Sequence, residues 1–234
     1  MNRWLAWLDE VERWALWVVA ATAGGMAALL LGAALWWAWL FWVTFYSTPE
    51  SAPTTALVLF GIVAALAGIG VGLGQRLAPE SPVVAMGVGS VRWLIVTGLA
   101  AGLTAAAAVR PVFGIPGTPS TRAAVFTLAV GLAIGFAQWL LLRRHGRLSL
   151  LWLPVTGFGF AGGTLMVGLG PNEGVTGLLK VGVAGIAVTS ALQGALLFFG
   201  LGATAPASPV GGEPALEQRE PPLEAPTGPR TPAS

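Results

Sequence analysis

Six stretches of about twenty mostly apolar residues, separated by short segments rich in charge, proline or glycine, leave this chain little choice of fold. An α-helix rises 1.5 Å per residue and the hydrocarbon layer of a bilayer is about 30 Å thick, so about 20 apolar residues cross it once. The stretches run from Trp14 to Tyr46, Thr55 to Gln75, Trp93 to Val109, Ala123 to Leu142, Leu148 to Leu169 and Gly177 to Leu201. Only 9% of the 234 residues are charged, against roughly 25% in an ordinary soluble domain. The expected fold is an all-α integral membrane protein with six transmembrane helices and lipid as its solvent.

The first stretch is too long for one perpendicular crossing. Upstream of it, Trp4, Trp7, Leu8, Val11 and Trp14 recur at helical spacing, with Asn2, Asp9, Glu10 and Arg13 opposite, the pattern of an amphipathic helix lying in the interface. Residues 1–16 are therefore expected as an interfacial helix and 17–201 as the six-helix bundle, with a first crossing near 17–40 and a hinge at Gly24-Gly25. One long tilted helix is the alternative. A cleaved leader ending near Ala21-Thr22-Ala23 is the weaker reading, because acidic residues occupy the region that should be basic.

Residues 202–234 are rich in proline and glutamate and almost devoid of large apolar side chains, so they cannot bury enough surface to offset their ordering entropy. A disordered cytoplasmic tail is expected, with PxxP spacings such as Pro226/Pro229 as a docking option for a cytoplasmic partner. Orientation follows the basic residues in short loops. Six crossings place Arg3, Arg13, Arg76, Arg92, Arg143, Arg144 and Arg147 on one side and Arg110, Arg122 and Lys180 on the other. The first side is expected to be cytoplasmic, with both termini there and the cell (inner) membrane as the location.

The sequence Trp93-Leu-Ile-Val-Thr-Gly98 returns as Trp152-Leu-Pro-Val-Thr-Gly157, and the preceding helices carry Gly72 with Gln75 and Gly135 with Gln138. Ser190 with Gln193 is a looser version, and Arg13-Trp14 echoes Arg92-Trp93. Three helical-hairpin repeats in a pseudo-symmetric bundle are expected. Over residues 123–165, the Gly131/Gly135 helix that ends in Gln138-Trp139-Leu140 and a basic turn resembles an element of uncharacterised bacterial multi-pass membrane proteins. That resemblance implies architecture and no activity.

Small residues four apart let helices approach closely, so Gly68 with Gly72, Gly98 with Gly102, Gly131 with Gly135 and Gly159 with Gly163 are expected at helix contacts, within the bundle or between copies. Gln138, Gln193, Thr97 and Thr156 lie at membrane depth and must find partners there or line a polar cavity. Arg143, Arg144 and Arg147 are expected to meet anionic headgroups. The chain has no cysteine and one histidine, His145, so neither thiolate chemistry nor a conventional metal centre is expected, and no cofactor. With so few ionisable groups, the basic pI does not argue for nucleic-acid binding. No acidic residue lies at the midplane, which argues against proton-coupled transport and carboxylate-based intramembrane proteolysis. The leading expectation is a non-enzymatic component that packs with itself or with other membrane subunits. A small-solute transporter or channel and an enzyme acting on a lipid-soluble substrate are the alternatives.

Overall fold

The computed structural model describes residues 3–46, 52–78, 81–145, 147–169 and 174–201. The expected Pro-rich tail and residues 1–2 lie outside them. Six long helices carry the fold: α1 (Arg3–Tyr46), α2 (Ala52–Leu77), α4 (Ser90–Phe113), α5 (Pro119–Leu142), α6 (Trp152–Val167) and α7 (Gly174–Ala195), with a four-residue helix α3 (Pro82–Ala85) between the second and third. No strand occurs among the described residues. Six helical segments are long and apolar enough to cross a membrane, the fifth (Ser149–Val167) taking in the turn before α6 and the sixth (Leu179–Phe199) the turn after α7, and the chain is a multi-pass membrane protein.

The helix ends follow local chemistry. Thr118 caps α5, its hydroxyl accepting from the Thr121 amide at 3.2 Å, and Pro119 supplies the preset φ of a first helical residue. At the other end, α2 is tied to the segment after it by the Ser81 hydroxyl, which donates to the Gln75 carbonyl at 2.6 Å. The 3₁₀ turns Arg143–His145 and Arg147–Leu151 carry the chain from α5 into α6, and a π-helical turn, Leu196–Leu201, extends α7.

α1 is one unbroken helix of 44 residues, about 66 Å long. Residues 3–16 therefore run on without a break into the first apolar stretch, and the helix continues through Gly24-Gly25 in place of the expected hinge. These glycines serve close approach instead. A Cβ on Gly24 would collide with the Gly70 carbonyl oxygen of α2, and one on Gly25 would lie 2.7 Å from Ile186 Cδ1 of α7. Neighbouring turns support the helix through both positions, so its hydrogen-bonded ladder has no reason to break there.

Consecutive long helices pack side by side, α1 on α2, α2 on α4, α4 on α5, α5 on α6 and α6 on α7, and α7 returns to α1 to close a ring. The eight glycines of the spaced pairs all lie at these crossings. Gly68 and Gly72 face Thr97 and Trp93–Leu94 of α4; Gly98 and Gly102 face Ile69, Ala65 and Gly61 of α2; Gly131 and Gly135 face Thr156–Gly157 and Leu153 of α6; Gly159 and Gly163 face Thr189 and Ala184 of α7.

Candidate functional site

At one level of the ring, near the end that bears the amino terminus, three glutamines from α2, α5 and α7 meet. Gln75, Gln138 and Gln193 are all buried, at 0%, 1% and 2% exposure, where an unpaired amide would be costly. The Gln75 amide donates to Gln193 Oε1 at 2.9 Å; the Gln193 amide donates to the Thr156 hydroxyl at 2.7 Å and, at a long 3.4 Å, to Gln138 Oε1; the Gln138 amide donates to the Thr97 hydroxyl at 3.0 Å. Two indoles complete the network. Trp93 Nε1 donates to Gln75 Oε1 at 3.1 Å and Trp152 Nε1 to Gln138 Oε1 at 2.8 Å. Thr156 passes its own proton to the Trp152 carbonyl, 2.7 Å away. Every glutamine thus has both its carbonyl and its amide engaged.

The spacing that produces this arrangement is local. Each of Trp93 and Trp152 stands four residues before its threonine, so indole and hydroxyl share one helix face one turn apart. Each indole reaches back to the glutamine of the preceding long helix, and each hydroxyl receives the glutamine of the following one. Gly72 and Gly135, three residues before Gln75 and Gln138, let the neighbouring helix come close enough: a Cβ on Gly72 would lie 3.4 Å from Trp93 Cδ1, and one on Gly135 would lie 3.0 Å from Leu153 Cα.

The third seam, between α7 and α1, departs from this pattern. Trp17, buried at 0% exposure beside Trp93 and Trp152, stands where an indole donor to Gln193 would be, yet its Nε1 has no hydrogen-bond partner among the described residues. Four residues on, Ala21 offers no hydroxyl, and the Gln75 amide turns to Gln193 instead. It is Trp17 and not Trp14 that takes the indole position, so the Arg13-Trp14 echo of Arg92-Trp93 is out of register by three residues. Trp14 donates to the Ala191 carbonyl at 3.0 Å, fastening α1 to α7.

On one side of the network the tryptophans pack with Ala78, Val83, Leu142 and Leu197 into an apolar plug, Trp93 and Trp152 edge to face with centroids 6.3 Å apart. On its other side lies a cavity of about 190 Å³ inside the ring. Its walls are almost wholly apolar, including Phe60, Val63, Phe126, Val130, Phe160 and Ile186, and the three glutamines, Thr97 and Thr156 reach it at one end. No ionisable side chain lines it.

Gln138, Gln193, Thr97 and Thr156 therefore come together, bonded to one another. Sequence reasoning left Gln75 and the indoles of Trp17, Trp93 and Trp152 out of the candidate polar interior, although the Gly72/Gln75 spacing and the repeated Trp93 and Trp152 segments were their signal. Arg143 and Arg144 stand exposed on the 3₁₀ turn after α5, and Arg147 opens the next such turn, at the same end of the ring as the plug. Among the described residues no cluster of side chains is fit to hold a metal ion. In comparisons with known protein families, curated proteins and solved structures, nothing matches this chain.

Proposed function

We propose that this protein is a non-enzymatic membrane component, a closed barrel of three helical hairpins that holds one small apolar molecule in its central cavity. One observation supports the reading above the others: the glutamine–tryptophan–threonine network and the plug behind it close one end of an apolar chamber that contains no ionisable group. A cavity of about 150 Å³ lined by aliphatic and aromatic groups stays dry and accepts benzene, so this chamber suits a molecule of about one ring or the end of a hydrocarbon chain. Most of the polar side chains that an aqueous route would need, those of Gln75, Gln138, Gln193, Thr97 and Thr156, are occupied by each other, which favours containment over passage of a polar solute. An enzyme on a lipid-soluble substrate would need a nucleophile or acid–base pair at the chamber, and its lining supplies amides and hydroxyls only.

The positions of the basic residues support both termini on the cytoplasmic face of the cell membrane. The exposed outer surface, with Trp37, Phe41, Leu103 and Phe158, offers contact to lipid or to other membrane subunits, and the Pro-rich tail remains a candidate for a cytoplasmic partner.

The test is the melting temperature of the purified protein in mild detergent with and without α-methylstyrene, an apolar probe of suitable size. A ligand that binds only the folded state raises it, and the gain grows with concentration above the dissociation constant. The rise is expected for the natural chain and not for Ala67→Phe, which fills the chamber from α2. An identical response in both, or none in either, would defeat the reading.

A further inference from the structure

The chamber is long and narrow, and it runs along the axis of the ring. On α2 its lining extends from Phe60 to Gln75 and on α5 from Ala123 to Gln138, each a difference of 15 residues and so a rise of about 22 Å. The two stripes are in register at a constant offset of 63 residues: Ala67 corresponds to Val130 and Val71 to Ile134, and each helix presents one continuous row to the axis. Spread over about 22 Å, a volume of about 190 Å³ admits one chain in single file and not a fused-ring molecule.

The two ends of the chamber differ. At the network end the three glutamines, Thr97 and Thr156 are no more than 2% exposed and bond to one another, with the tryptophan plug behind them. Toward the other end Phe60, Val63, Phe126 and Thr127 are all partly exposed, and Ala123 stands in the first turns of α5, which starts at Pro119. The chamber is a blind tube, shut near the amino-terminal end of the ring and approached from the opposite one. Its interior offers a polar group little. The Thr127 hydroxyl is engaged with the Ala123 carbonyl at 2.9 Å, and the two lining hydroxyls without a partner, those of Thr189 and Ser190, cannot replace the water around a charged or zwitterionic head.

We infer that the chamber holds one acyl chain of a membrane phospholipid, inserted methyl end first from the end opposite the amino terminus, with the lipid's head left outside. The inference rests on the chamber reading above and adds the ligand class and the direction of entry. Lipid is the solvent of this ring, so chains of the right chemistry surround it, and an apolar tube gives water no partners to enter for. A tube of about 22 Å is longer than half of the hydrocarbon layer of about 30 Å. A chain that fills it is therefore drawn out straighter than its neighbours in the bilayer.

Two phosphatidylcholines test this, each with a photoreactive diazirine on one acyl chain, placed beside the glycerol in one and near the methyl end in the other. The full chain is reconstituted in vesicles containing either lipid and illuminated, and the labelled residues are located by mass spectrometry. The methyl-end probe is expected on the buried lining near the network, at Val71, Ile134 or Ile186, and the glycerol-end probe on Phe60 or Phe126. Lining labels at the network end should be lost in Ala67→Phe, and in Val130→Phe at the same level of α5, while labels on the exposed Leu103 and Phe158 persist. Labelling of the outer surface alone, the same lining residues from both probes, or the reverse order of depth overturns the inference. If the melting temperature still rises with α-methylstyrene, such a result leaves the chamber standing; with no rise either, both readings fall.

Discussion

Gln138 joins α4, α6 and α7 through one side chain, donating to Thr97 and accepting from Trp152 and Gln193. Gln138→Leu removes these bonds and leaves an indole N–H buried without an acceptor, so a loss of about 2–3 kcal/mol of stability is expected. Reversible unfolding in mixed detergent micelles measures it. The double variant Gln138→Leu/Thr97→Val should lose less than the sum of the two single losses, because the second change removes a group that the first has already orphaned. A strictly additive result would mean that the 3.0 Å contact between them contributes nothing. At this scale the sequence was half legible. A glutamine in an apolar helix announces that it needs a partner, and the repeated Trp-x-x-x-Thr segments hold the groups that answer. What spacing does not reveal is that the partner is an indole from the next helix, because that depends on the ring closing in three dimensions.

The helices themselves were the most legible part, since a run of apolar residues bounded by charge fixes both type and length. The boundaries moved by a few residues, outward in α4, where Arg110 and Pro111 continue the last turn to Phe113, and inward in α6, which covers Trp152–Val167 of the expected 148–169. The exception was α1, where the tryptophan clusters at both ends read equally as membrane belts or as two helices. Glycines that resemble a hinge in one dimension become contact points when a neighbour approaches. This distinction predicts opposite outcomes for one substitution at two places. A Cβ on Gly74 would overlap the Ala20 carbonyl oxygen, so Gly74→Ala should force α1 and α2 apart at a cost of about 1–3 kcal/mol. Nothing lies within 4 Å of a Cβ on Gly162 in α6, and Gly162→Ala should be neutral or stabilise by up to about 1 kcal/mol. Parallel unfolding curves of the two variants provide the comparison, and equal losses would contradict the packing described for α1 and α2.

For the whole molecule, an even number of crossings and a ring closed by α1 against α7 require the first and last spanning helices to be antiparallel neighbours. Reporter fusions at residue 3 and at residue 202 should then report the same compartment, and an insertion in the 47–51 segment the opposite one. Termini on opposite faces would show that one of the six helices does not cross. The pairing of α1 with α7 was not readable in the sequence, because contacts between the two ends of a chain leave no local pattern to recognise.

The unbroken α1 has a mechanical side. Trp4 and Trp17 lie on the same rod about 20 Å apart, with no joint between them and a fulcrum at Trp14, where the helix is pinned to α7. A tug on the protruding end, from a headgroup or a neighbouring subunit, is not absorbed by bending on the way. It arrives as a rocking motion at the plug, where the Trp17 indole is buried.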